Sequence, residues 1–174
     1  MRPALSQATG VGIYLQNLVS ALSEIDSQNE YHLFYSSWKE DAPKKNYGKN
    51  FIVHNQKWPV RFLNFAWHRL GWPPVDWLIR CEMDVVHSPG PLLMPTSNAH
   101  QITTVMDLYF YFYPEDTQSE IKRDYKALVQ KHSSKADAII AISEHTRQIL
   151  IDSYGIHPSQ IYLIRLAGDP YFSE

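Results

Sequence analysis

The strongest constraint on this chain is a repeated change of period. Short, β-branched apolar runs give way to stretches where apolar residues recur every three or four positions. Residues 136–150, ADAIIAISEHTRQIL, hold both patterns end to end. Positions 138–142 read as a buried strand, Ser143 as the cap of the helix that follows, and Gly155 as its stop. A strand that is apolar at successive positions offers no solvent face, so it belongs in a parallel sheet covered on both sides.

The alternation continues along the chain. Val11, Tyr14, Leu15, Leu18, Leu22 and Ile25 define an amphipathic helix starting just after Gly10 or Gly12. Residues 31–35 and 51–53 read as strands separated by the polar, turn-rich DAPKKNYGKN. Residues 59–80 read as two short helices with a kink at Gly71-Trp72-Pro73-Pro74. A strand at 84–87 stops at Ser88-Pro89-Gly90-Pro91, and 101–106 forms another. A long helix is expected from near Ser119, with Ile121, Tyr125, Leu128, Val129 and His132 on one face. The last strand is expected at 161–166. The expected fold is α/β, a Rossmann-like and mostly parallel sheet with helices on both faces, as a single domain over 1–174.

In such folds the glycine loop follows a first strand at the middle of the sheet. Only nine residues precede Gly10, and Pro3, Ser6 and Gln7 make a poor strand, so the first strand is expected to be missing. Loss of a central strand leaves ladder groups unpaired, and self-association is the expected consequence.

Composition excludes several classes. The formal net charge is -2 and no Lys/Arg block stands out, so no nucleic-acid partner is expected. The single Cys81 rules out an internal disulfide framework and suits a reducing compartment. The N-terminus lacks the apolar core of a signal peptide, and runs such as LYFYFY at 108–113 are too short to span a bilayer. A cytoplasmic location is expected. The 8 His are scattered without a pair at ligand spacing, so no metal site is expected.

Three segments, TGVGIYLQNLVSAL at 9–22, DVVHSPGPLLMP at 84–95 and ADAIIAISEHTRQIL at 136–150, strongly resemble the N-terminal domain of glycosyltransferase family 4. TTVMDLYFYFYPE at 103–115 and IYLIRLAGDPYF at 161–172 fit the same pattern, in the same order. The resemblance implies one half of a GT-B fold, in which this domain binds the acceptor and a second domain binds a nucleotide-sugar donor. It implies retaining transfer to a glycan or lipid-linked acceptor, with no metal or other cofactor. The donor domain has no counterpart in this chain, so the chain is expected to be inactive alone. A non-catalytic glycan- or nucleotide-binding module is the alternative reading.

Candidate residues follow from both lines of reasoning. Gly10, Val11 and Gly12 stand directly before a helix, where backbone N–H groups attract anions; the resemblance places this loop near the donor diphosphate. An ordinary turn is the plainer account of the two glycines, and the third glycine of a dinucleotide fingerprint is absent. His87 ends a strand at the carboxyl edge of the sheet, where it would serve as a catalytic or acceptor-binding group or tie down its loop. Asp107 lies one residue beyond the next strand's end, as a catalytic candidate or a turn cap. Family members usually carry His-Asp at this point, whereas this chain has Met106-Asp107, which points either to another sugar or to lost activity. Ser88, Tyr109, Ser143 and Glu144 are the expected substrate-binding residues, with helix capping and dipole compensation the plainer account of the last two. In 59–80, Arg61, His68, Arg69 and Arg80 are interleaved with Phe62, Phe65, Trp67, Trp72 and Trp77. Core packing is the expected fate of these rings, and contact with the inner face of a membrane the alternative.

Overall fold

A computed structural model describes residues 10–38, 41–42, 45–113 and 125–168. The chain divides into two compact units, Met1–Cys81 and Glu82–Glu174. Their strands form two separate parallel sheets.

In the first unit, α1 (Gly10–Ile25) is followed by β1 (Tyr31–Ser36) and β2 (Phe51–Gln56). The two strands pair in parallel from Tyr31 opposite Phe51 to Ser36 opposite Gln56. Asp26 organises the turn between α1 and β1: its carboxylate accepts from the Gln28 and Asn29 amides and from the Tyr31 hydroxyl. The Tyr31 bond is the largest of the contacts that hold this exposed carboxyl far below its usual range. Helix α2 (Val60–Phe65) runs into a π turn (Ala66–Leu70), and Gly71 ends it at φ 66. The Trp67 indole N–H donates to the Pro73 carbonyl at 2.9 Å, which folds the Gly-Trp-Pro-Pro kink back under the ring. Helix α3 (Val75–Ile79) ends at Arg80, the one described non-glycine residue at positive φ. Leu63, Ala66, Trp67, Val75 and Ile79 are buried alongside Phe34 and Tyr35 of β1.

The rings of 59–80 do not share one fate. Trp67 is buried as the packing expectation required, but Phe62, Phe65, Trp72 and Trp77 are 54–62% exposed. The reason is that one helical face accommodates few large rings. Leu63, Ala66 and Trp67 take the inward positions, and Phe62 and Phe65 are carried outward.

The second unit is a four-stranded parallel sheet in the order β3 (Val85–Ser88), β4 (His100–Val105), β5 (Ala138–Ala141), β6 (Ile161–Leu163). The crossovers carry α4 (Tyr109–Phe112), α5 (Tyr125–Ser133), α6 (Glu144–Tyr154) and a 3-10 turn (Pro158–Gln160). Val105, Val129, Ile139, Ala141 and Leu150 are fully buried and centre one core cluster. The α/β class and the parallel pairing are as expected. Ser143 caps α6, its Oγ accepting from the Thr146 amide at 3.1 Å, and Gly155 closes that helix at φ 67. Expected residue Ile121 and the proposed helix start near Ser119 fall outside the described residues, while Val129 and His132 are buried on α5 as expected. The last strand is shorter than expected: Ile164 makes one more ladder bond, to the Ala141 carbonyl, and 164–168 is exposed coil.

Candidate functional site

Parallel strands present their carboxyl ends along one edge, so β3, β4 and β5 deliver their following residues to a common rim of the second unit. The register sets the levels. Val105 is opposite Ala141, which puts Asp107 and Ser143 at matching positions two residues further on. Ser88 is opposite Thr103, so β3 stops two residues lower and its loop rises from there.

That loop is pinned by polar groups. Ser88 Oγ accepts from the Met94 amide at 2.9 Å, and Thr103 Oγ1 donates to the Gly90 carbonyl at 2.5 Å. The Leu93 amide donates to Nδ1 of the buried His132 at 3.1 Å, and Gln101 Nε2 donates to the Met94 carbonyl at 2.6 Å. Ser88 is 1% exposed, so its hydroxyl serves the loop. His87 shares a hydrogen bond of 2.8 Å with Thr104 Oγ1 of the neighbouring strand through Nε2. Burial lowers its pKa from the ordinary histidine value, which keeps the ring neutral at pH 7. A neutral imidazole offers a donor or an acceptor to a hydroxyl, rather than a positive charge to a phosphate.

At the next strand end Asp107 is exposed, and its Oδ1 accepts from the Tyr109 amide at 3.1 Å, the turn-capping contact anticipated for it. Burial, with the Asp107 charge adding to it, pushes the Tyr125 phenol up to about 12. Tyr109 is half exposed and stacks on Tyr113, with ring centroids 4.8 Å apart. Across the rim, Ser143 also reaches Thr146 Oγ1 at 2.9 Å, and Glu144 pairs with Arg147 at 2.8 Å. The second unit therefore brings Asp107, Tyr109, Ser143 and Glu144 to one carboxyl edge, whereas His87, expected to end its strand, lies within β3 opposite Ile102, and Ser88 ends that strand lower down.

Gly10, Val11 and Gly12 open α1 in the first unit. Gly10 has no positive φ, and a Cβ built on it meets nothing within 4 Å. Crowding among the described residues does not call for glycine there.

An aromatic cluster behind the rim escaped the reading of motifs. Phe110 meets Tyr125 edge to face at 4.8 Å, Tyr111 meets Tyr154 at 5.3 Å, and Lys126 Nζ lies 3.6 Å over the Tyr111 ring. The signal was the run LYFYFY itself, which has no helical or strand period because four of its six residues form the single turn α4.

The edge is polar, with two carboxylates, Asp107 and Glu144, and the neutral imidazole of His87 lower on β3. No curated protein matches the chain. A profile of Glycosyltransferase Family 4 matches residues 8–169. With nearly the whole chain matched and an α/β, parallel-stranded architecture beneath it, the chain belongs to glycosyltransferase family 4.

Proposed function

We propose that this chain is the acceptor-side half of a retaining glycosyltransferase, moving a sugar from a nucleotide-sugar donor to a glycan or lipid-linked acceptor. The family match carries this reading, and the polar carboxyl rim of β3–β5 supports it. The acceptor hydroxyl attacks the anomeric carbon from the face the leaving group departs. The nucleoside diphosphate leaves with the bonding electrons, and its oxygen takes the hydroxyl proton. Negative charge grows on the diphosphate, so oriented N–H groups stabilise the transition state better than the ground state. The amides that open α1 supply part of that field, and Gly10 leaves room for close approach. A second, donor-binding domain supplies the rest, so the chain alone does not turn over. Neutral His87 and Asp107 position the acceptor, with Tyr109, Ser143 and Glu144 lining its approach and Ser88 holding the β3–β4 loop beneath them. No metal or organic cofactor takes part in the transfer.

Titration of the chain with oligosaccharide acceptors, followed by amide chemical shifts, tests the assignment. Shifts should concentrate at 87–88, 107–109 and 143–144 and vanish in Asp107→Asn, while nucleotide sugars alone bind no tighter than millimolar. Tight nucleotide-sugar binding together with an indifferent rim would overturn it. Met106 favours a second reading, a glycan-binding module without chemistry, because a thioether neither donates a hydrogen bond nor titrates. Met106→His in an enzyme completed by a donor domain separates the two: a gain in turnover supports an adapted transferase, and continued silence the module.

The exposed rings of 59–80 support a peripheral membrane contact on the same path to a lipid-linked acceptor. Phe62, Phe65, Trp72 and Trp77 project with Arg61, Arg69 and Arg80 also exposed. No helix among the described residues is long and apolar enough to cross a membrane. Flotation with vesicles containing anionic lipid should carry the chain upward, and Trp72→Ala with Trp77→Ala should abolish it. Sedimentation as a dimer without flotation would assign the same face to self-association.

A further inference from the structure

Three side chains that the transfer chemistry does not use meet in the first unit. Glu30 lies just ahead of β1, His32 is the second residue of that strand, and Cys81 follows the left-handed Arg80 that ends α3. His32 Nε2 stands 2.7 Å from Glu30 Oε1 and 3.7 Å from Cys81 Sγ. The three donor atoms all lie within 4.8 Å of one another. The His32 side chain is 7% exposed and the Glu30 side chain 62%, so the group sits at the surface with its imidazole anchored inward.

We propose that Glu30, His32 and Cys81 form a binding site for a borderline-soft divalent ion of the zinc class, with a fourth position open to water. Around a tetrahedral ion with bonds of about 2.0–2.3 Å, imidazole nitrogen and thiolate sulfur stand roughly 3.6 Å apart, and nitrogen and carboxylate oxygen roughly 3.4 Å. The nitrogen–sulfur distance already meets this requirement. The nitrogen–oxygen distance needs the exposed Glu30 to back away by less than about 1 Å, well within the freedom of its side chain. His54 completes the arrangement. Its Nε2 shares a 2.8 Å hydrogen bond with His32 Nδ1, and the two rings stack at 5.0 Å. A bond at the far ring nitrogen holds a ligating imidazole in orientation and in the tautomer that leaves Nε2 open. One sulfur, one nitrogen and one oxygen donor select against calcium and magnesium, which demand oxygen shells.

The ion would clip the start of β1 to the end of α3, with Cys81 49 residues from His32 in sequence. It binds the folded unit and not the unfolded chain, so it raises stability by mass action. The competing account is a plain hydrogen-bond chain from His54 through His32 to Glu30, with Cys81 taking no ion.

Cobalt(II) separates the two, because Cys81 is the chain's single cysteine and a sulfur-to-cobalt charge-transfer band reports this site alone. Titrating the reduced chain should give that band with tetrahedral ligand-field absorption, saturating at one equivalent and bleached by added zinc. Zinc, but not magnesium, should raise the melting temperature. Cys81→Ser should abolish the charge-transfer band. Glu30→Gln, which changes an exposed group and leaves the metal-free fold intact, should weaken cobalt binding by about tenfold or more. Absence of the band from the wild type, its persistence in Cys81→Ser, or equal stabilisation by magnesium and zinc would each overturn the proposal. Should Cys81→Ser fail to fold, the wild-type band and the Glu30→Gln affinity decide the matter.

Discussion

The two units solve the problem of burial differently. In the second, four strands and their helices enclose Val105, Val129, Ile139, Ala141 and Leu150 so fully that none keeps any solvent contact. In the first, a two-stranded sheet cannot cover so much, and its best-buried apolar residues among those described, Leu63, Ala66 and Val75, keep 3%. Polar groups divide the same way. Thr103, Thr104, Ser88 and His132 are buried in the second unit, and all four hold the β3–β4 loop or His87 in place. In the first unit the Glu30, His32 and Cys81 cluster lies at the surface and four large rings, Phe62, Phe65, Trp72 and Trp77, face outward. A dense core fixes the positions of rim residues, and a thin one leaves chemistry and apolar area on display.

Deep truncation is the sharpest way to break this contrast. Leu150→Ala removes a side chain with no exposure from the centre of the second core and should cost about 2–5 kcal/mol, a large share of a small domain's stability. Leu15→Ala, at a residue still 7% exposed on α1, should cost distinctly less. Urea melts of both variants check this, and equal losses would erase the distinction between the units.

Next in size is the α6 cap. Ser143→Ala removes the acceptor for the Thr146 amide and should destabilise by about 1 kcal/mol. If Ser143 also meets acceptor, Ser143→Asp restores the cap and the stability but not glycan binding. Recovery of both by aspartate would reduce this serine to a capping role.

A smaller effect follows from His87. Burial depresses its folded-state pKa below the 6.5 of an exposed histidine, so the folded chain binds fewer protons there than the unfolded chain. This contribution to stability is complete above about pH 6.5 and is lost as the pH falls through the depressed value. His87→Gln keeps a hydrogen-bonding partner for Thr104 and should flatten the part of the acid limb just below pH 6.5. His54, also depressed by burial, leaves a residual slope in both proteins. Superimposable pH–stability curves for variant and wild type would show that His87 titrates freely.

Much of the second unit was legible because its strands are largely apolar and α6 carries both its start signal, Ser143, and its stop signal, Gly155. The rim could be inferred once strand ends were known, since parallel strands share one carboxyl edge. Other features left no local trace. Which rings of 59–80 face outward depends on which neighbours take the inward positions, and an aromatic reads the same on either side. The Glu30, His32 and Cys81 group has no signature in histidine spacing, because its thiol is brought from beyond the far end of α3. The Ser88 hydroxyl looked like a site group, and only the fold reveals its bond to Met94.

The smallest predicted stability change falls on Gly10, and its smallness is the point. A Cβ there meets nothing, the backbone angle is ordinary, and alanine is the better helix former, so Gly10→Ala should move stability by no more than about 0.5 kcal/mol, toward gain. A glycine that folding does not require has to be explained by something outside the fold. If the opening amides of α1 cradle a diphosphate, the added methyl group stands between them and the phosphate oxygens, and kcat of the completed enzyme drops while its melting temperature holds. An enzyme that keeps full turnover with alanine at this position would place the diphosphate elsewhere than at the opening of α1.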